Sequence, residues 1–221
     1  MKTTNKTTTP APVTPNENAQ TVFPYLLKAI KKEYDGHIKR NPQEKSFYIK
    51  CYNDAVKKVE KVATAQTLTE CKISVEWIKN RVWGYNPRAT VDGFTIDENG
   101  ARDYMRTTAR ASGCGYDKQS TAIASALNDN PAILKLLYIT DEKRLRGIKS
   151  RKIARRDFIG YGAGYGARPY FEGGCGVSCF YEIFKNCGYT FKQVASGKTF
   201  DAYTITKNEN KKGGGKNEKR K

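Results

Sequence analysis

RTTARASGCGYDKQSTAIASALN, residues 106–128, is the stretch that decides the fold. Thr107, Ala109 and Ala111 fall at alternate positions, as in a half-buried strand. Gly113-Cys114-Gly115 then breaks the run, and Ala122, Ile123, Ala126 and Leu127 recur at helical spacing behind Asp117, an N-cap residue. A strand, a glycine turn and a helix in succession form one folding unit. They also form a candidate anion site, because a helix N-terminus presents unpaired N–H groups beside a backbone that glycine lets a ligand approach. Gly174-Cys175-Gly176 opens a second amphipathic run, VSCFYEIFKNCG, sixty-one residues later. Beyond the turn and the helical period the two halves share little, so duplication and coincidence both stay open.

Upstream of this stretch, Phe23, Leu26, Leu27, Ile30 and Tyr34 predict a helix over about Thr21–Tyr34 that Gly36 ends. Asn41-Pro42 starts a second helix, whose stripe is Tyr48, Cys51, Tyr52, Ala55, Val56, Val59, Val62 and Ala63. From Lys72 the period becomes two and the residues β-branched and aromatic, through Ile73, Val75, Trp77, Val82, Trp83, Ala89 and Val91. Turn signals at Asn86-Pro87 and Asp97-Glu98-Asn99-Gly100 predict a three-stranded meander on which the two helices pack. Downstream, Asn130-Pro131 starts a helix with Ile133, Leu136 and Leu137. Residues 159–166 alternate glycine with Tyr161, Ala163 and Tyr165, which in a strand leaves one face bare. A helix over Val177–Cys187 turns Val177, Phe180, Tyr181 and Phe184 inward and is capped by Gly188. A hairpin turning at Ser196-Gly197-Lys198 closes the domain. The expectation is a single α+β domain over residues 20–206, an antiparallel sheet of about five to seven strands with helices mainly on one face. Residues 1–19 read as a disordered arm and 207–221 as a basic low-complexity tail.

The 221 residues include 40 Lys and Arg against 22 Asp and Glu, a formal +18. An excess of this size points to polyanionic partners. It is concentrated at Lys143, Arg144, Arg146, Lys149, Arg151, Lys152, Arg155 and Arg156, a run that no acid interrupts, and again in the tail. No apolar run is long enough to span a bilayer, and Thr, Pro and Asn stand where a leader peptide needs an apolar core, so the expected setting is cytoplasmic, without a membrane partner. Six cysteines in a chain of this size read as buried small residues rather than a disulfide framework.

Each motif has an ordinary alternative. The Gly113, Gly115, Gly174 and Gly176 turns are anion-binding candidates, yet they match neither a dinucleotide fingerprint nor a P-loop, and tight strand-to-helix packing alone demands glycine. Ser196-Gly197-Lys198-Thr199 imitates the end of a Walker A motif, but Lys192 stands where its first glycine belongs, and strands flank it. Cys114, Cys175, Cys179 and Cys187 lack the paired knuckles of structural zinc. His37 is the single histidine and sits in a polar turn between helices, which argues against triad and dyad hydrolases. Asp117, Asp157, Glu172 and Asp201 show no catalytic spacing. No cofactor, metal or catalytic residue is assigned. Aromatics interleave with cations around Trp77, Trp83, Tyr85 and Arg88 and around Tyr161, Tyr165, Arg168 and Tyr170. They serve either as sheet core or as a stacking platform for bases, with Trp83, Tyr161 and Tyr165 the stacking candidates.

The segment GCGYDKQSTAIASALN, Gly113–Asn128, with Trp83-Gly84-Tyr85-Asn86-Pro87, resembles uncharacterised small proteins of phages and other mobile elements of gut bacteria that carry a G-x-G-Y-D-K-x-S-T-A segment. The resemblance covers the middle and C-terminal parts of the folded region. It implies an intracellular, phage-infected bacterial setting and transfers no activity and no catalytic residue. Three functions stay open: a non-enzymatic nucleic-acid-binding accessory protein using the basic run; an interaction or inhibitory module acting on an acidic host protein; and an enzyme that holds a phosphorylated small molecule in the two Gly-Cys-Gly turns.

Overall fold

The computed structural model describes residues 10–81, 84–111, 117–148, 153, 157–159 and 169–208. Helix α1, Glu17–Val22, starts at Asn16, whose side chain accepts from the Ala19 N–H at 2.8 Å. Helix α2, Pro24–Arg40, follows after Phe23 and runs straight through Gly36. A single 3-10 turn, Pro42–Glu44, leads into α3, Lys45–Ala63, and the predicted stripe of α3 is buried apart from half-buried Cys51. The segment before α2 is docked: Asn53 accepts from the Val13 N–H at 2.9 Å and donates to the Ala11 carbonyl at 3.0 Å, while Glu60 accepts from the Asn16 N–H at 2.8 Å. Residues 10–19, which composition assigns to an arm, are therefore held against α3 through backbone groups that composition does not report.

Strands β1 (Thr67–Asn80), β2 (Gly84–Ile96) and β3 (Arg102–Arg110) form the expected meander, and β4 (Tyr189–Ser196) and β5 (Phe200–Lys207) the closing hairpin. All neighbours are antiparallel, in the order β3-β2-β1-β5-β4, so the sheet has five strands with β1 in the middle. The first reversal lies between Asn80 and Gly84, and Gly84 takes a φ of +73° that favours glycine. Asn86-Pro87, predicted as a turn, lies inside β2. Proline is tolerated there because β3 pairs with β2 only from Arg88 onward, while the Pro87 carbonyl still accepts from the Ala111 N–H at 3.2 Å.

Helix α4, Lys118–Asn128, packs on β2 and β3; α5, Pro131–Arg146, on β1 and β2; α6, Ser178–Asn186, on β4. Helices α2 and α3 pack on each other and on α5, forming a second layer instead of lying directly on the strands. Ala122, Ile123, Ala126 and Leu127 are fully buried, as their spacing predicts. In α6, Phe180 and Phe184 point inward, but Tyr181 is exposed and meets the Phe191 ring edge-on at 5.0 Å. Alternate residues of β2, Ala89, Val91 and Thr95 among them, face the helices. Gly93 belongs to this set because an added Cβ would come within 2.9 Å of the Asn130 side chain, which caps α5. The opposite face of the sheet carries no helix among the described residues.

Two long-range contacts hold the helical layers. The Glu142 carboxylate on α5 is buried and accepts from the Tyr25 and Leu26 N–H groups at 3.1 and 2.8 Å, capping α2 from outside its own sequence. Lys135, its pKa lowered by burial, donates to the Ala63 carbonyl at 3.1 Å and to that of Ala65, closing the C-terminal end of α3.

Candidate functional site

Gly113 and Gly115 lie outside the described residues, but the helix they lead into is described. Asp117 caps α4, its Oδ1 accepting from the Ser120 N–H at 2.8 Å. A carboxylate of the chain's own thus occupies the position an anion would take. The second glycine turn is built onto this same helix end. The Gly174 N–H donates to Ser120 Oγ at 2.9 Å, and a Cβ on Gly173 would lie 2.7 Å from Thr121 Cα. Asn128, at the far end of α4, exchanges two hydrogen bonds with the backbone of Phe171, at 2.8 and 2.9 Å. Gly174 and Gly176 have φ of +85° and +86°, so turn conformation and close packing account for glycine there. Gly173→Ala should therefore cost about 2 kcal/mol or more in urea unfolding, because backbone cannot give way. A loss under about 0.5 kcal/mol would refute the close approach.

Cys175 and Cys179 line a cleft of about 270 Å³ together with Arg144, Glu172, Glu182 and Asn186. Cys179 Sγ donates to the Cys175 carbonyl at 3.2 Å. Cys175 is exposed at the mouth of the cleft, and desolvation there, reinforced by the Glu172 charge, pushes its thiol up to about 11. Asp201 is buried and accepts from Trp77 Nε1 at 3.4 Å and from the Gln119 and Gln193 side chains at 3.0 and 3.2 Å. Those bonds tie Trp77 to the helix-covered face and give Asp201 a structural task. His37 lies within α2, which runs on past Gly36, and not in a turn between helices; it is stacked on Tyr48 at 5.1 Å and paired with Glu33. Among the described residues no His, Cys, Asp and Glu cluster has the geometry to hold a metal ion.

Of the basic run, Lys143, Arg144 and Arg146 form the last turn of α5, and all three are exposed around buried Leu145. Arg146 holds its guanidinium over the exposed ring of Tyr25, 5.6 Å from its centroid. Arg144 differs from the other two in lining the cleft beside Glu172 and Glu182. Lys149, Arg151, Lys152, Arg155 and Arg156 lie outside the described residues, as do Trp83, Tyr161 and Tyr165.

A second basic surface, which composition alone does not reveal, lies on the uncovered face of the sheet. Strand register sets its rows. Arg106, Asp92, Lys72, Thr204 and Lys192 form one row across all five strands; Tyr104, Phe94 and Glu70 lie on one side of it, and Arg110, Arg88, Glu76 and Phe200 two rows away on the other. Burial works to raise the Asp92 carboxyl, but hydrogen bonds from Arg106 Nε and the Tyr104 hydroxyl, both 2.7 Å, together with the charges of Arg106 and Lys72, outweigh it and lower its pKa. Glu70 and Glu76 are paired with Lys72 and Arg88. Arg102, Arg110 and Lys192 form no ion pair among the described residues. The signal was present in the sequence at the even positions of RDYMRTTAR, residues 102–110, the complement of the odd positions, of which Thr107 and Ala109 are half-buried. The sequence matches no protein family model, no curated protein and no solved structure.

Proposed function

We propose that the chain is a non-enzymatic, basic nucleic-acid-binding accessory protein of phage or mobile-element origin, acting in the cytoplasm of a host bacterium. The observation that carries the binding is the exposure of Lys143, Arg144 and Arg146 at the end of α5, where a run of cations begins that no acid interrupts as far as Arg156. The origin rests on the resemblance of the Gly113–Asn128 segment alone. No described helix is long and apolar enough to cross a membrane.

The test is a fluorescence-anisotropy titration of labelled single- and double-stranded oligonucleotides across a salt series. Micromolar or tighter binding with a steep log–log salt slope is expected. Replacing Lys143, Arg144 and Arg146 by glutamine should flatten that slope by about two to three on duplex, near one for each phosphate left without its cation. An unchanged slope would remove these cations from the interface. No binding at moderate salt would overturn the function and leave an acidic host protein as the partner to seek.

A further inference from the structure

We infer that the face of the sheet opposite the helices is a docking platform for single-stranded nucleic acid, with Phe94 and Tyr104 stacking on bases and Arg102 and Arg110 contacting phosphates. The inference takes nucleic-acid binding from the preceding reading and adds a second surface with its own specificity.

Four observations carry it. The face is open: Tyr104 is 45 % exposed, and Phe200 and Ile96, on the same side, are 41 % and 37 % exposed. The Tyr104 ring adjoins half-exposed Phe94, so aromatic surface is kept in water on the side of the sheet opposite the helices. The rings are also held in place. Phe94 and Tyr104 are cross-strand partners with centroids 5.5 Å apart, Lys72 stands 5.5 Å over Phe94, and Arg106 stands 5.5 Å over Tyr104. Asp92 fixes both the Tyr104 hydroxyl and the Arg106 guanidinium, so little side-chain freedom remains to be surrendered on binding.

The charge is complementary to a polyanion and is arranged along a line. Each acid on the face already has a cation beside it, so the surplus lies in Arg102, Arg110 and Lys192. Arg102, Arg106 and Arg110 recur every fourth residue on the edge strand, and at about 3.4 Å per residue they extend over about 27 Å, room for a run of several nucleotides. The aromatic pair then selects between strands. In a duplex the faces of the bases are covered by their neighbours, whereas an unpaired strand can stack its bases on the Arg106 guanidinium over Tyr104 and on the ring surface that Lys72 and Arg106 leave exposed, while its phosphates meet Arg102 and Arg110. An acidic protein surface would satisfy the cations but would set a polar partner against Phe94 and Tyr104.

The experiment compares the full-length protein with three variants, Phe94→Ala/Tyr104→Ala, Arg102→Gln/Arg110→Gln and Lys143→Gln/Arg146→Gln, by anisotropy on single strands of about 12 nucleotides and on the matching duplex. All substituted side chains are exposed or half-exposed and off the packed core, and circular dichroism checks that each variant is folded. The aromatic variant should lose tenfold or more on single strands and less than about threefold on duplex, and Tyr104→Phe should retain single-strand binding because the ring is kept. The Arg102/Arg110 variant should weaken single-strand binding and lower its salt slope. Wild-type-like single-strand affinity in the aromatic variant, with weakening only in the α5 variant, would overturn this inference and leave nucleic-acid binding standing. If the wild type binds no oligonucleotide, both fall.

Discussion

Replacing Glu142 with alanine should lower the unfolding free energy by about 3–5 kcal/mol, the largest effect expected of any single substitution outside the apolar core. Helix α2 begins at Pro24, and Phe23 offers no side-chain cap. Proline has no N–H to satisfy, and the Leu27 N–H is already bonded to the Phe23 carbonyl at 3.0 Å. The remaining two donors of the first turn, at Tyr25 and Leu26, both go to Glu142. Truncation removes two charge-assisted hydrogen bonds and leaves two donors where water has little access, and it does so in the seam between α2 and α5. Glu142→Gln keeps one acceptor and should lose about half as much. Urea unfolding with an unchanged m-value is the measurement. A loss below about 1 kcal/mol for the alanine variant would mean that α2 is not capped by α5.

The second large effect depends on pH. Asp141 is fully buried; its Oδ1 accepts from the Ile159 N–H at 2.8 Å, and its Oδ2 has no hydrogen-bond partner among the described residues. Burial drives its pKa up to about 8, against the Ile159 hydrogen bond and the Arg144 charge, which pull it down. The folded state therefore keeps a proton that the unfolded chain releases near 4, and between about pH 4 and 8 stability falls as pH rises, by at most about 1.4 kcal/mol per unit. Below and above that window the contribution is flat. Asp92, with its lowered pKa, acts on the acid side of the window, while Cys187 and Tyr203 act on the alkaline side. Asp141→Asn retains the acceptor for Ile159 and has no proton to lose. It should be more stable than the wild type at pH 8 by about 2–4 kcal/mol and should match it near pH 4. A midpoint series from pH 4 to 9 decides the matter: equal pH slopes in the two proteins would show that Asp141 is ionised in the folded state.

Much of the fold could be read locally. Asp117 and Asn130 cap α4 and α5 because a cap needs only neighbours three residues away, and the α4 stripe is a matter of spacing. Gly188, at a φ of +81°, ends α6 as expected. What failed was decided at a distance. Gly36 does not end α2, because Leu26, Ile30 and Tyr34 on one side of it and partly buried Ile38 on the other pack into the same core. Pro87 sits within a strand because the third strand has not begun to pair there. Glu142 reads as one more surface acid until α2 is placed 116 positions away beside it. The candidate site divides in the same manner. The basic run is visible as composition, whereas the sheet platform exists only once register sets Phe94 beside Tyr104 and Asp92 beside Arg106.

The strand order also constrains how the molecule comes into being. β1 is made early, at Thr67–Asn80, yet one of its two sides is completed only by β5, at Phe200–Lys207. Tyr189 ties the same region, donating to the Leu68 carbonyl across 121 positions at 3.1 Å. While the chain is being synthesised, the three-stranded meander therefore presents β1 as an open edge until residues 81–199 and then β5 have been made. The last hairpin is in this sense the chain's own chaperone: it closes the edge that would otherwise recruit a strand from another nascent copy.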